Sequence, residues 1–278
     1  MINIERYEGT EANVNSYLLS DDENTILVDV LRNSVEAEGL ADHIEKDGKK
    51  LNCIFITHGH ADHYMGLGAL LRRFPNVPVK VATTAIKDDL IGFSQWMESV
   101  GWLENEPQMK VKTPENPAGF DYVNLVSVID EPFLKLPLEA NRIHVHADYP
   151  GNECGHITTL TIPEQKAFLA SDLLYDKVHA WCGPGTNRQE IHQWINILDE
   201  TLEMKDADKW TFYAGHGQSG DQTLVTNMKG YLQQFLDITE SEKTQQGAMD
   251  RLIDAFPGFA QEDFLLIHSV NYHVKEST

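Results

Sequence analysis

Residues 57–63 read THGHADH: three histidines, His58, His60 and His63, and one aspartate, Asp62, directly after the apolar run LNCIFI at 51–56. Imidazole nitrogens and carboxylate oxygens are the donors that borderline divalent metals accept. Alternation along an extended loop turns His58 and His60 the same way, which leaves Asp62 and His63 for a second centre. A catalytic metal usually takes three protein ligands and a water, so four donors are too many for one ion and call for partners elsewhere in the chain.

Outward from this heptad the pattern is that of a layered α/β domain. NSYLLSDDENTILVDVL at 15–31 is two apolar runs around a polar turn, a hairpin signal. SVEAEGLADHIEKDGK at 34–49 has helical spacing, and LNCIFIT is a short buried strand with the heptad at its C-terminal end. HYMGLGALLRRF at 63–74 reads as one helix stopped near Pro75, and VPVKVAT at 77–83 as a further strand. Residues 85–135 mix helix and loop, with four prolines and with Trp96 and Trp102; a segment this long reads as a lid over a site or as an insertion anchored by its aromatics. Strand signals return in NRIHVHADY at 141–149 and in HITTLTIPEQKAFLASDLLY at 156–175. QEIHQWINILDETLEM at 189–204 is a helix, KWTFYAGHG at 209–217 a strand running into a glycine-rich loop, and the two amphipathic runs between 223 and 256 form a C-terminal helical appendage. The expected division is a main domain over 1–220 and a helical extension over 221–278 packed on it.

The missing donors occur at the ends of these strands, beside small residues: His156 in ECGHITTL, Asp172 in LASDLLY and His216 in YAGHGQSG. The arrangement this predicts is His58, His60 and His156 on one metal, Asp62, His63 and His216 on another, and Asp172 bridging. Two metals about 3.5–4 Å apart lower the pKa of a shared water, so that a bridging hydroxide exists at neutral pH, and polarise the bond under attack. Asp62 and Asp172 can take a proton from the nucleophile or deliver one to the leaving group. His179, in YDKVHAW at 175–181, is a further candidate, reaching the substrate or satisfying a nearby carbonyl. His144 and His146 share a strand face but have no third partner.

The order H-x-H-x-D-H, then an isolated His, Asp and His, resembles the metallo-β-lactamase superfamily of binuclear hydrolases, from about residue 13 to 220 and at all seven ligand positions. That resemblance implies an αββα sandwich with the metals at one edge of its sheets. It also implies two divalent cations, zinc above all, with iron or manganese as alternatives the ligands also accept. Lactone-cleaving members often place a tyrosine three residues after the bridging aspartate, and Tyr175 stands there. The true β-lactamases generally lack that aspartate, so antibiotic hydrolysis is disfavoured. Glyoxalase-type thioesterases share the seven ligands but hold glutathione with basic residues in the C-terminal region, where this chain has few cations. The activity expected is hydrolysis of a small-molecule carboxylic ester or lactone. Thioester, phosphodiester or phosphotriester cleavage, promiscuous β-lactam opening, or a non-catalytic metal-dependent sensor are the alternatives.

Composition sets the surroundings. The chain has 278 residues, 41% hydrophobic, enough for a well-buried core. A net charge of −21, with no dense cluster of Lys and Arg, repels nucleic acid and anionic membrane. No run approaches the roughly 18–20 apolar residues of a membrane span. Three scattered cysteines, Cys53, Cys154 and Cys182, form no disulfide framework, so a cytoplasmic setting is expected. The amphipathic appendage packs on its own domain or on a twin, and a homodimer is the expected assembly.

Overall fold

The structure is a computed structural model that describes residues 1–275. Its contacts separate two compact units, one of residues 1–147 with 156–164, the other of residues 148–155 with 165 onward. The strands fall into two sheets.

In the first unit a six-stranded sheet runs in the order of the chain: β1 (Asn3–Glu8), β2 (Asn15–Ser20), β3 (Asn24–Val28), β4 (Lys50–Ile56), β5 (Val79–Val81) and β6 (Val126–Val128). β1 to β3 form an antiparallel meander, and β3 to β6 run parallel. The expected hairpin is β2–β3, in register Leu18↔Leu27 and Leu19↔Ile26. Its turn is closed by Asp21, whose Oδ1 accepts from the amides of Glu23 and Asn24 at 2.9 and 2.7 Å, an aspartate side chain standing in for a backbone turn.

Parallel strands need crossovers, and the helices between them supply these. Helix α1 (Ser34–Asp47) is capped by Asn33, whose side chain accepts from the Glu36 amide, and ends at Gly48 in the left-handed region, φ +79°. It buries Ala37, Leu40, Ala41 and Ile44, one helical stripe, in a core shared with Leu27, Ile54 and Ile56. After β4 the single helix expected over 63–74 is instead two, α2 (Ala61–Tyr64) and α3 (Leu67–Arg73). The break has a cause: the Val30 amide donates to His63 O at 2.9 Å and the Gly66 amide to Leu31 O at 3.2 Å. The backbone at Gly66 lies so close to β3's exit that a Cβ there would stand 1.9 Å from Val30 O. Helix α4 (Thr84–Ser99) and the short α5 (Tyr122–Leu125) precede β6, so part of 85–135 is a crossover helix and the sheet's edge strand. Strands β7 (Phe133–Leu134), β8 (Ile143–His146) and β9 (Thr159–Ile162) follow as an antiparallel ladder.

The second unit is built on two parallel strands, β10 (Ala167–Tyr175), buried along all nine residues, and β11 (Thr211–His216), joined through helix α6 (Arg188–Leu202). Asn187 and Glu190 form a capping box at the start of α6, and Trp194 Nε1 donates to Leu173 O at 3.0 Å, tying the helix to β10. Helix α7 (Gln222–Ser241), capped by Asp221, packs on α6 and on both strands; α8 (Gln245–Ala255) and α9 (Ile267–His273), with a π-helical turn between them at Glu262–Leu266, complete the unit. No helix among the described residues is long and apolar enough to cross a membrane.

Candidate metal centre

The donors of the first unit stand where strand β4 ends. Its last residues, Cys53 to Ile56, are buried, and the chain then turns through Thr57 into the histidine loop. The imidazole rings of His58 and His60 are 4.9 Å apart and those of His58 and His63 4.1 Å. The donor atoms of His58 and His60 lie within 4.8 Å of each other, as do those of Asp62 and His63. His58 and His63 are wholly buried.

A residue the sequence reading did not single out organises this loop. Asp29, buried at the exit of β3 with φ +59°, accepts from the Thr57 amide and the Thr57 hydroxyl, each at 2.8 Å. It also accepts from His63 Nδ1 at 2.8 Å. Burial raises its carboxyl above the usual range; the His63 imidazole and the Thr57 hydrogen bonds oppose that shift. Because the Thr57 hydroxyl gives its proton to Asp29, its lone pair accepts from His58 Nδ1 at 3.1 Å. Both imidazoles thus carry their proton on Nδ1 and keep Nε2 as the basic nitrogen, the tautomer a metal requires.

His156 is arranged by the same logic. Its Nδ1 lies 2.8 Å from Asp89 Oδ2 on α4, and the pair is partly exposed, at 49% and 40%. Gly59 makes the approach of α4 possible, since a Cβ there would meet Asp89 Cβ at 2.7 Å. His144 and His146 stand apart from this set on β8, where His146 Nε2 bonds Thr161 Oγ1 at 2.8 Å.

In the second unit Asp172 and His216 face each other across β10 and β11, His216 Nε2 lying 3.1 Å from Asp172 Oδ2. Both are buried. A bulge aims Asp172: the pairing slips on either side of Ser171, which adopts φ +48°, a left-handed conformation that only a well-supported site retains. Gly215 on β11 makes room, because a Cβ there would lie 2.0 Å from Asp172 Oδ1. Tyr175 donates its hydroxyl to Asp172 Oδ2 at 2.9 Å and stacks flat on His216, rings 4.4 Å apart and 3° from parallel. Glu153, fully buried, brings a carboxylate oxygen within 4.8 Å of Asp172's. It is a further donor that its loop, GNECGH, did not announce.

His179 is placed differently. It is fully buried, with Nδ1 3.1 Å from Tyr231 Oη and its ring packed on Tyr231 and Phe259. Burial pushes its pKa down to about 4.

The sequence model of the metallo-beta-lactamase superfamily matches residues 9–220, a span that contains all of these donors. The chain belongs to that superfamily. Solved structures agree on the fold. A metallo-beta-lactamase family protein of Thermus thermophilus superposes with a TM-score of 0.64 at 19% identity, covering 96% of this chain and 91% of that one. The metallo-beta-lactamase of Pontibacter korlensis does so at 0.55 and 17%, covering 84% and 94%. The expected α/β metallo-β-lactamase fold is thereby borne out. Among curated proteins, the hydroxyacylglutathione hydrolase of Francisella tularensis subsp. novicida (strain U112) is 39% identical over 67 residues, 24% of this chain and 25% of its own. Hydroxyacylglutathione hydrolase 1 of Vibrio vulnificus (strain YJ016) is 34% identical over 65 residues, 23% of this chain and 25% of its own. The match thus spans about a quarter of these relatives' own length.

The donor set fits divalent cations. Three of its histidines, His58, His63 and His156, are held through Nδ1 by Thr57, Asp29 and Asp89, which leaves Nε2 to ligate, and Asp172 is seated over a glycine that leaves its carboxylate room.

Proposed function

We propose that this chain is a metal-dependent hydrolase that binds two divalent cations, zinc in the first place, and cleaves a small-molecule carboxylic ester or lactone. In this reading His58, His60 and His156 hold one ion, Asp62, His63 and His216 the other, and Asp172 bridges them. The observation that carries it is the buttressing of the histidine loop by Asp29, a buried carboxylate that sets two imidazoles in the ligating tautomer at once.

When bound, such a pair of ions supplies a nucleophilic water at neutral pH and polarises the carbonyl under attack. Asp62 accepts the proton of the nucleophile and returns it to the departing oxygen. Tyr175, whose hydroxyl rests on Asp172, turns that donor to the leaving oxygen as negative charge gathers there. His179 acts at one remove: its Nδ1 is taken by Tyr231, so it positions that phenol and does not touch the substrate. The net charge of −21 favours a small molecule over nucleic acid as partner. The three buried cysteines suit a reducing, cytoplasmic setting.

A second reading has an observation of its own. The stretches shared with the two hydroxyacylglutathione hydrolases favour a hydroxyacylglutathione thioester as substrate. Acid release from lactones, carboxylic esters and hydroxyacylglutathione thioesters, each with the zinc, manganese and iron forms, separates the two. Faster turnover of lactones or esters, abolished by Asp62→Asn, is expected; a preference for the thioester moves the assignment to the second reading. Saturable binding without product from any of them would leave a sensor.

A further inference from the structure

A cavity of about 330 Å³ has Tyr175 in its lining, and the hydroxyl of that same tyrosine donates to Asp172, which places the cavity next to the candidate centre's second-unit donors. The walls are mainly apolar, from Val178 on the loop after β10, from Met228 and Tyr231 on α7, and from Phe256 and Phe259 after α8. Tyr231, Phe256 and Phe259 pack with ring centroids 4.7–6.1 Å apart, a rigid aromatic wall. Asp176, Lys177, Thr226, Asn227 and Gln234 give the lining its polar part.

One further lining residue indicates what the space is for. Gly230 lies inside α7, where glycine is less favourable than alanine. A Cβ at Gly230 would meet nothing within 4 Å. No neighbouring atom requires the missing side chain, so the room is available to a molecule that enters the cavity.

Resting on the hydrolase reading above, we infer that this cavity takes the apolar portion of the substrate, an aryl ring or a medium-length alkyl chain. The scissile carbonyl then lies at the Tyr175 end, beside Asp172. The cavity's volume of about 330 Å³ lies at the small end of the range of small-molecule sites. Each methylene transferred from water into apolar surroundings is worth about a fourfold gain in affinity.

The test uses the zinc-loaded full chain with p-nitrophenyl acetate, butyrate, hexanoate and octanoate, and calorimetric binding of octanoate. Wild type is expected to gain about threefold to fourfold in kcat/KM per added methylene. Gly230→Phe, which fills the cavity, is expected to cut the octanoate-to-acetate ratio at least tenfold and to abolish octanoate binding, with zinc content and Tm retained. Gly230→Ala, a single methyl in open space, is expected to keep the wild-type ratio. A flat chain-length profile in wild type, or an unchanged ratio in Gly230→Phe, overturns the proposal. If no ester is cleaved, the hydrolase reading fails but the calorimetry still decides: octanoate bound by wild type and not by Gly230→Phe supports the cavity, and binding by neither or equally by both overturns it.

Discussion

Asp29 Oδ2 lies 2.8 Å from His63 Nδ1, and the same carboxylate accepts the amide and hydroxyl of Thr57. One buried group therefore fixes both the path of the loop after β4 and the protonation state of two of its histidines, His58 and His63. Asp29→Asn keeps the shape and removes the charge that steadies a metal-bound imidazole. Partners of this kind are typically worth 10–100-fold in metal affinity, and a weakening in that range is expected when zinc is titrated against a competing chelator. An affinity equal to wild type would show that the His63 contact is only packing.

Metal removal should be visible in stability. A ligand that binds only the folded chain stabilises it by about 2.7 kcal/mol at a concentration a hundred times its Kd. In a chain of this size about 2–4 °C of Tm follow each kcal/mol. EDTA is expected to lower Tm by about 5–10 °C, and added zinc to restore it. The check is differential scanning fluorimetry across a chelator and zinc series, where a flat Tm would count against bound metal.

Gly215 is a glycine for a reason confined to Asp172: a Cβ would stand 2.0 Å from Oδ1. Gly215→Ala must either displace that carboxylate from its place opposite His216 or push β10 and β11 apart. Overpacking of this kind costs about 1–3 kcal/mol. Elemental analysis should find less metal per chain, and urea denaturation a lower midpoint. Full metal content at wild-type stability would mean that the strands give way easily.

Much of this was legible because it is local. The apolar runs of the strands, the helical spacing of α1 and α6, and the spacing of His58, His60, Asp62 and His63 depend on neighbours a few residues apart. The supports of the site are not local. Asp29 and His63 are 34 residues apart, and Asp89 and His156 are 67 apart, so nothing near either acid marks its role. An aspartate closing the wholly buried run of β3 was the one available sign, since a carboxylate there must find partners. The bulge at Ser171 and the break at Gly66 likewise follow from what the backbone packs against. Composition of a single segment does not encode that. His179 shows the converse: its place after Tyr175 left open whether it reaches substrate or satisfies a neighbouring group, and its burial beside Tyr231 and Phe259 depends on elements downstream.

That burial has a consequence for acid stability. His179 titrates at about 4 in the folded chain because desolvation opposes its charged form, whereas an exposed histidine titrates near 6.5. Between these values the unfolded chain binds the proton and the folded chain does not. Its contribution to stability is therefore complete above pH 6.5 and is lost as pH falls from about 6.5 to about 4. His179→Gln removes this proton uptake and is expected to flatten part of the loss of stability with acidification over that window. The measurement is urea denaturation of metal-free wild type and His179→Gln in steps from pH 7.5 to 4.5. Taking the difference of the two slopes cancels the other histidines, which are common to both. Parallel curves throughout would place the His179 proton equilibrium at the same pH in both states, contrary to its packing against Tyr231 and Phe259.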